Sequence, residues 1–75
     1  MASNVGDRLK EIRQKLEFNQ AEFGIKLSVS RQAVYNIEKN TSFFSQDSLS
    51  KLALLNVNID WLLTGRGEPF VSDNP

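Results

Sequence analysis

The chain has 75 residues, 40% of them hydrophobic, with nine Lys or Arg balanced by nine Asp or Glu and with no Cys or His. That length fits one small domain near the lower limit at which a core holds a fold unaided. The missing Cys excludes disulfides and thiolate metal sites, and the missing His removes the commonest general base and metal ligand, so no enzyme, metal or cofactor is expected.

Asn4 and Asp7 form a capping pair, after which Leu9, Ile12 and Leu16 recur at helical spacing. A break at Glu17-Phe18-Asn19 follows, and Asn19 with Glu22 gives an N-x-x-E signal opening a second helix with Phe23 and Leu27 on one face. That helix stops near Ser28. Ser30 caps a third, SRQAVYNIEKN, which Asn40 closes in the left-handed conformation that Asn tolerates. Residues 41–44 read as a loop. Ser45 caps a fourth helix carrying Leu49, Leu52, Ala53 and Leu55, and Asn58 caps a short fifth from Ile59 to Thr64, stopped by Gly65. The tail GRGEPFVSDNP, rich in Gly and Pro, reads as extended or frayed, with 71–75 a flexible tail or the start of a linker. No segment alternates at period two and nothing repeats, so the expected fold is all-α, five helices in a single domain over 1–70. No apolar run approaches the ~20 residues needed to cross a bilayer. The N-terminus MASNVGDRLK lacks a signal-peptide apolar core, and a cytoplasmic protein with no membrane partner is expected.

Residues 20–39 have the anatomy of a helix-turn-helix. Gly24 is small enough for two helices to approach closely, Ser28 makes the turn between the anchors Leu27 and Val29, and Val34 and Ile37 face inward three residues apart. The opposite face of the third helix is polar: Arg31, Gln32, Tyr35, Asn36 and Lys39. Glu38 falls on the apolar arc, and so does Arg13 on the first helix. A lone buried charge costs several kcal/mol, so the two are expected to pair.

The segments NQAEFGIKLSVSRQAVYNIEKN at 19–40 and NVNIDWLLTGRGEPF at 56–70 resemble the Xre-like family, the DNA-binding domains of lambdoid phage repressors. The resemblance runs over about residues 5–70 and implies a five-helix lambda-repressor-like domain that docks on operator DNA as a homodimer. It also implies a phosphate-contacting role for Gln20 and a structural Arg13–Glu38 pair. The chain departs from the pattern at Ser28 and Asn40, where the family often has Gly. It departs again at Thr41, Ser42, Phe43 and Phe44, where basic residues often follow.

Within that frame Arg31, Gln32, Tyr35 and Asn36 are the expected base contacts. Arg pairs bidentately with guanine, Gln and Asn with adenine, and a Tyr ring can lie on a sugar or a thymine methyl. Gln20, Ser30 and Lys39 are the expected phosphate contacts. Leu62, Leu63 and Phe70 are candidates for a dimer seam, because the contiguous Trp61, Leu62 and Leu63 cannot all enter one core. The leading expectation is a transcriptional repressor of phage or bacterial origin. It would bind a palindromic duplex operator as a homodimer, with no small-molecule substrate. The alternative is a protein-interaction module, toxin-neutralising or adaptor-like, that keeps the fold with little DNA binding, and the neutral loop 41–44 favours it. Charge is divided to match the first expectation: the first forty residues carry two more bases than acids, the remainder the reverse.

Overall fold

Five polar residues start five helices in the computed structural model, which describes residues 4–71. The elements are α1 Val5–Lys15, α2 Gln20–Leu27, α3 Arg31–Glu38, α4 Gln46–Leu54 and α5 Ile59–Thr64. Asn4, Asn19, Ser30, Ser45 and Asn58 each accept a backbone N–H three residues on, at 2.8 to 3.3 Å. Each such cap stabilises its helix by about 1 kcal/mol. At Asn19 the box is complete, since its own N–H donates to Glu22 Oε1 at 2.9 Å. No strand occurs among the described residues, and the fold is all-α.

The helices pack α2 on α3, α1 on α3 and α5, and α4 on α2 and α5. They enclose one core of Leu9, Ile12, Phe23, Leu27, Val34, Ile37, Phe44, Leu52, Val57, Trp61 and Leu62. The core differs from expectation on α4. Leu52 and Ser48 are buried, Leu49 and Leu55 are half-buried, and Ala53 is exposed. At 100° per residue Ser48, Leu52 and Leu55 share an arc, and Ala53 turns away from it. The Ser48 hydroxyl enters the core satisfied by Ser45 Oγ at 2.9 Å. Of the adjacent rings, Phe44 fills the core and Phe43 stays 61% exposed, meeting it edge-on at 5.1 Å between centroids.

One of the dimer-seam candidates is reassigned. Leu62 is 0% exposed, wholly enclosed by its own chain, so it is a core residue and offers nothing to a partner. Phe70 is half-buried against the same core, and Leu63, 38% exposed, is the member of the set that faces outward most. The segment after α5 is extended but not frayed as far as Val71. Asn58 N–H donates to Pro69 O at 2.9 Å and Val71 N–H to Asn56 O at 2.8 Å, making an antiparallel bridge between Val57 and Phe70. Beyond Val71, the tail expected at 71–75 lies outside the described residues.

Two contacts hold α1 in place that composition alone did not single out. Arg8 is buried, and its Nε donates to Leu62 O at 2.8 Å and its Nη2 to Leu63 O at 3.3 Å. The guanidinium thus caps the C-terminal carbonyls of α5, where the helix dipole favours a cation. Gly6 lies where α1 meets the end of α3: a Cβ there would strike the Glu38 carbonyl and crowd the Asn40 side chain. Its N–H donates to Asn40 Oδ1 at 2.9 Å, while Asn40 Nδ2 donates to Asn4 Oδ1 at 3.0 Å. Gly6→Ala is therefore expected to cost about 1–3 kcal/mol despite the better helix propensity of Ala. Urea unfolding monitored by circular dichroism would show this as a lower midpoint at unchanged slope.

Candidate nucleic-acid interface

The turn between α2 and α3 is set by close backbone approach. A Cβ on Gly24 would lie 2.7 Å from Val29 O, so the turn folds back onto α2 where the side chain is absent. Ser28 caps α2 with φ 60°, in the left-handed region that disfavours a non-glycine residue, and Val29 N–H returns to Gly24 O at 2.9 Å. α3 then starts at once behind Ser30, whose hydroxyl oxygen accepts from Ala33 N–H at 3.0 Å. Val34 and Ile37 are buried and Ala33 half-buried, which turns the opposite face of α3 outward.

On that face Arg31, Gln32, Tyr35 and Lys39 are exposed and Asn36 is half-buried. Gln32 Nε2 donates to Asn36 Oδ1 at 3.0 Å, and Lys39 Nζ lies 5.6 Å above the Tyr35 ring, within cation–π range. The last turn of α3 is held from behind, since the Asn36 carbonyl accepts from both the N–H and the hydroxyl of Thr41. Asn40 closes the helix at φ 63°.

The structure brings Gln20 to the same surface. Gln20, Arg31, Gln32 and Tyr35 line a shallow pocket of about 170 Å³. Gln20 and Tyr35 also border a wider groove of about 430 Å³ that runs on to Lys10, Lys39 and Asn40. The capping box satisfies the N–H groups of Asn19 and Glu22, whereas those of Gln20 and Ala21, at the first two positions of α2, have no intrahelical partner. They point out of the N-terminus of α2, where an anion is favoured. Lys10 was not singled out from the sequence. Its place three residues before Arg13, one turn along the same helix face, was the available signal.

Beneath this surface lies Glu38, buried with 9% exposure. Its Oε2 accepts from Arg13 Nε at 2.7 Å and its Oε1 from Arg13 Nη2 at 3.3 Å, and Oε1 also accepts from Gln20 Nε2 at 3.1 Å. Arg13 uses a further N–H on Phe18 O at 3.0 Å, so the guanidinium ties α1 to the loop before α2 as well as to α3. No buried side-chain polar atom is left without a partner among the described residues. Ser30 is exposed at the start of α3 and lines neither of these two pockets. Leu63 and Phe70 belong to the α5 end of the molecule and are not part of this face. Among the described residues no cluster of carboxylates could hold a metal ion, and no helix is long and apolar enough to cross a membrane.

Two short helices joined by a tight turn, the second with a buried apolar edge and an uncovered polar one, define a helix-turn-helix protein. The chain belongs to the helix-turn-helix domain family, whose model matches residues 6–68. It is 39% identical over 61 residues to the HTH-type transcriptional regulator ImmR of Bacillus subtilis (strain 168). That match covers 80% of this chain and 48% of the relative, so the chain spans about half the length of that protein. Its fold is also similar to the P22 c2 repressor protein, solved in complex with a synthetic operator. The two agree with a TM-score of 0.76 and 28% identity, over 84% of this chain and 97% of that one.

The Glu38 junction makes a stability prediction. Glu38→Ala strands the Arg13 charge and the Gln20 amide at a largely buried site and is expected to cost about 3–5 kcal/mol. The double replacement Arg13→Met with Glu38→Leu, which removes both charges, should recover most of that loss. Thermal unfolding of the two variants against the wild type checks both expectations, and a double variant as unstable as Glu38→Ala would contradict them.

Proposed function

We propose that this domain binds a specific sequence in duplex DNA and acts as a transcriptional repressor of phage or bacterial type. The observation that carries the reading is the uncovered edge of α3, where Arg31, Gln32, Tyr35 and Asn36 project together beside the N-terminus of α2. Arg, Gln and Asn are the side chains that match base edges in the major groove, and an α-helix fits that groove. Gln20, Ser30 and Lys39 flank this edge at positions suited to phosphate, and Lys10 adds a further cation. The relatives support the same reading, one by its designation as a transcriptional regulator and the other by its operator complex. Such a repressor works by occupying DNA in the cytoplasm and needs no catalytic group. Residues 1–70 form the binding domain in this reading.

A homodimer on a palindromic operator completes the proposal. Two copies of α3 would enter successive major grooves about 34 Å apart. Leu63 is the exposed apolar residue of α5 available to the seam, with Phe70 at its edge. The second reading, a protein-interaction module, is favoured by one feature, the exposed Phe43 in a neutral loop.

Selection from random duplexes followed by sequencing separates the two readings. Enrichment of one palindrome is expected, and no enrichment at low salt would reject DNA recognition. Gln32→Ala is expected to relax specificity at its base pair and to cost about 1–3 kcal/mol there. With Lys10, Arg31 and Lys39 as the cations at the face, log K should fall with log salt at a slope no steeper than about −5 for two protomers. A filter-binding series in potassium chloride measures that slope.

A further inference from the structure

Gln32 and Asn36 are one helical turn apart on the outward edge of α3, and their side-chain amides are already bonded to each other, Gln32 Nε2 to Asn36 Oδ1 at 3.0 Å. Resting on the DNA-binding reading above, we propose that the two amides act as one unit that reads two adjacent base pairs. Gln32 would take an adenine, and Asn36 a neighbouring base that offers acceptors, guanine or thymine.

The assignment follows from counting donors and acceptors. A primary amide has two N–H donors and an oxygen with two lone pairs. The mutual bond consumes one Nε2 hydrogen of Gln32 and one lone pair of Asn36 Oδ1. Gln32 keeps its Oε1 and one N–H, a donor–acceptor edge that matches the N6 hydrogen and N7 of adenine. Asn36 keeps both Nδ2 hydrogens with its oxygen half occupied, so its free side is mainly a donor. In the major groove it suits guanine O6 and N7 or thymine O4, and it is mismatched to the cytosine amino group. The mutual bond holds the two amides side by side, as reading neighbouring base pairs stacked about 3.4 Å apart requires. The bond also holds each side chain in position before DNA arrives, so that removing either partner loosens the other. Discrimination at the two base pairs is thus coupled.

The test uses the full chain and the duplex enriched by selection, with each base substituted in turn at the two positions and binding read by fluorescence anisotropy. The wild-type site should contain the adenine directly beside guanine or thymine. Asn36→Ala should lower discrimination at both positions, by roughly five- to a hundredfold in all. The double variant Gln32→Ala with Asn36→Ala should lose scarcely more than the worse single variant, the sign of one coupled unit. Asn36→Asp keeps an oxygen to accept from Gln32 but replaces the donor, so the adenine preference should stay while the second position turns toward cytosine. Circular dichroism checks that these surface variants stay folded. Additive losses, or preferences at positions that are not neighbours, would overturn the coupling while leaving DNA recognition intact. Failure to enrich any duplex would overturn both.

Discussion

The carboxylate of Glu38 is the constraint on which the rest of this small domain depends. It stands on the inner side of α3 and is the shared acceptor for a guanidinium from α1 and an amide from the first residue of α2. Leaving such a charge alone inside the protein would cost several kcal/mol, so the three helices can assemble only in the arrangement that delivers both donors to it. An apolar core alone is non-directional and tolerates sliding of one helix over another. A carboxylate with directional partners on α1 and α2 ties α3 to both helices at one point along its length. The polar edge that the helix turns outward inherits that precision.

The same economy appears at the helix ends. The helices are joined by the short segments 16–19, 28–30, 39–45 and 55–58, and each of these turns through one non-glycine residue in the left-handed conformation. Glu17, Ser28, Asn40 and Asn56 all have φ near +60°, a conformation that costs a non-glycine residue roughly 1–2 kcal/mol. Asn bears it most easily, and the Asn40 side chain bonds Gly6 and Asn4 across to the start of α1. A glycine at that position would turn as well but could not reach. Asn40 is thus a link between the two helices that frame the groove.

Sequence periodicity carried most of the architecture. The five N-caps are polar residues placed just before apolar-periodic runs, and each cap bonds locally, so the helix starts were readable without knowing the fold. α3 was equally clear, because its polar and apolar residues separate cleanly by face. The weaker readings came where the signal is not local. Leu62 and Leu63 are chemically alike, and nothing along the chain says which of them the core will enclose. Arg8 looks like one of several surface bases until the end of α5 arrives above it. Ala53 and Ser48 exchanged the roles that hydrophobicity alone suggests, because a satisfied hydroxyl fits an arc of the core that Ala53 does not face. The Gly and Pro content of the tail allows extended or frayed backbone alike; as far as Val71 it is extended, and Pro69 and Val71 pair with Asn58 and Asn56 through backbone groups that composition does not register.

The sequence by itself determined where the five helices begin, and which side chains of α3 lie on its free face and which on its apolar one. Those are consequences of capping chemistry and of the 3.6-residue repeat, both local along the chain. Only the tertiary structure decided what shares a surface with that face. Lys10 and Asn40 come from separate elements and border one groove with the expected Gln20, because Glu38, Gly6 and Gly24 set how closely α1, α2 and α3 approach. Distances between elements depend on packing and on the partners available to buried charge, and neither can be read from the order of residues in one segment.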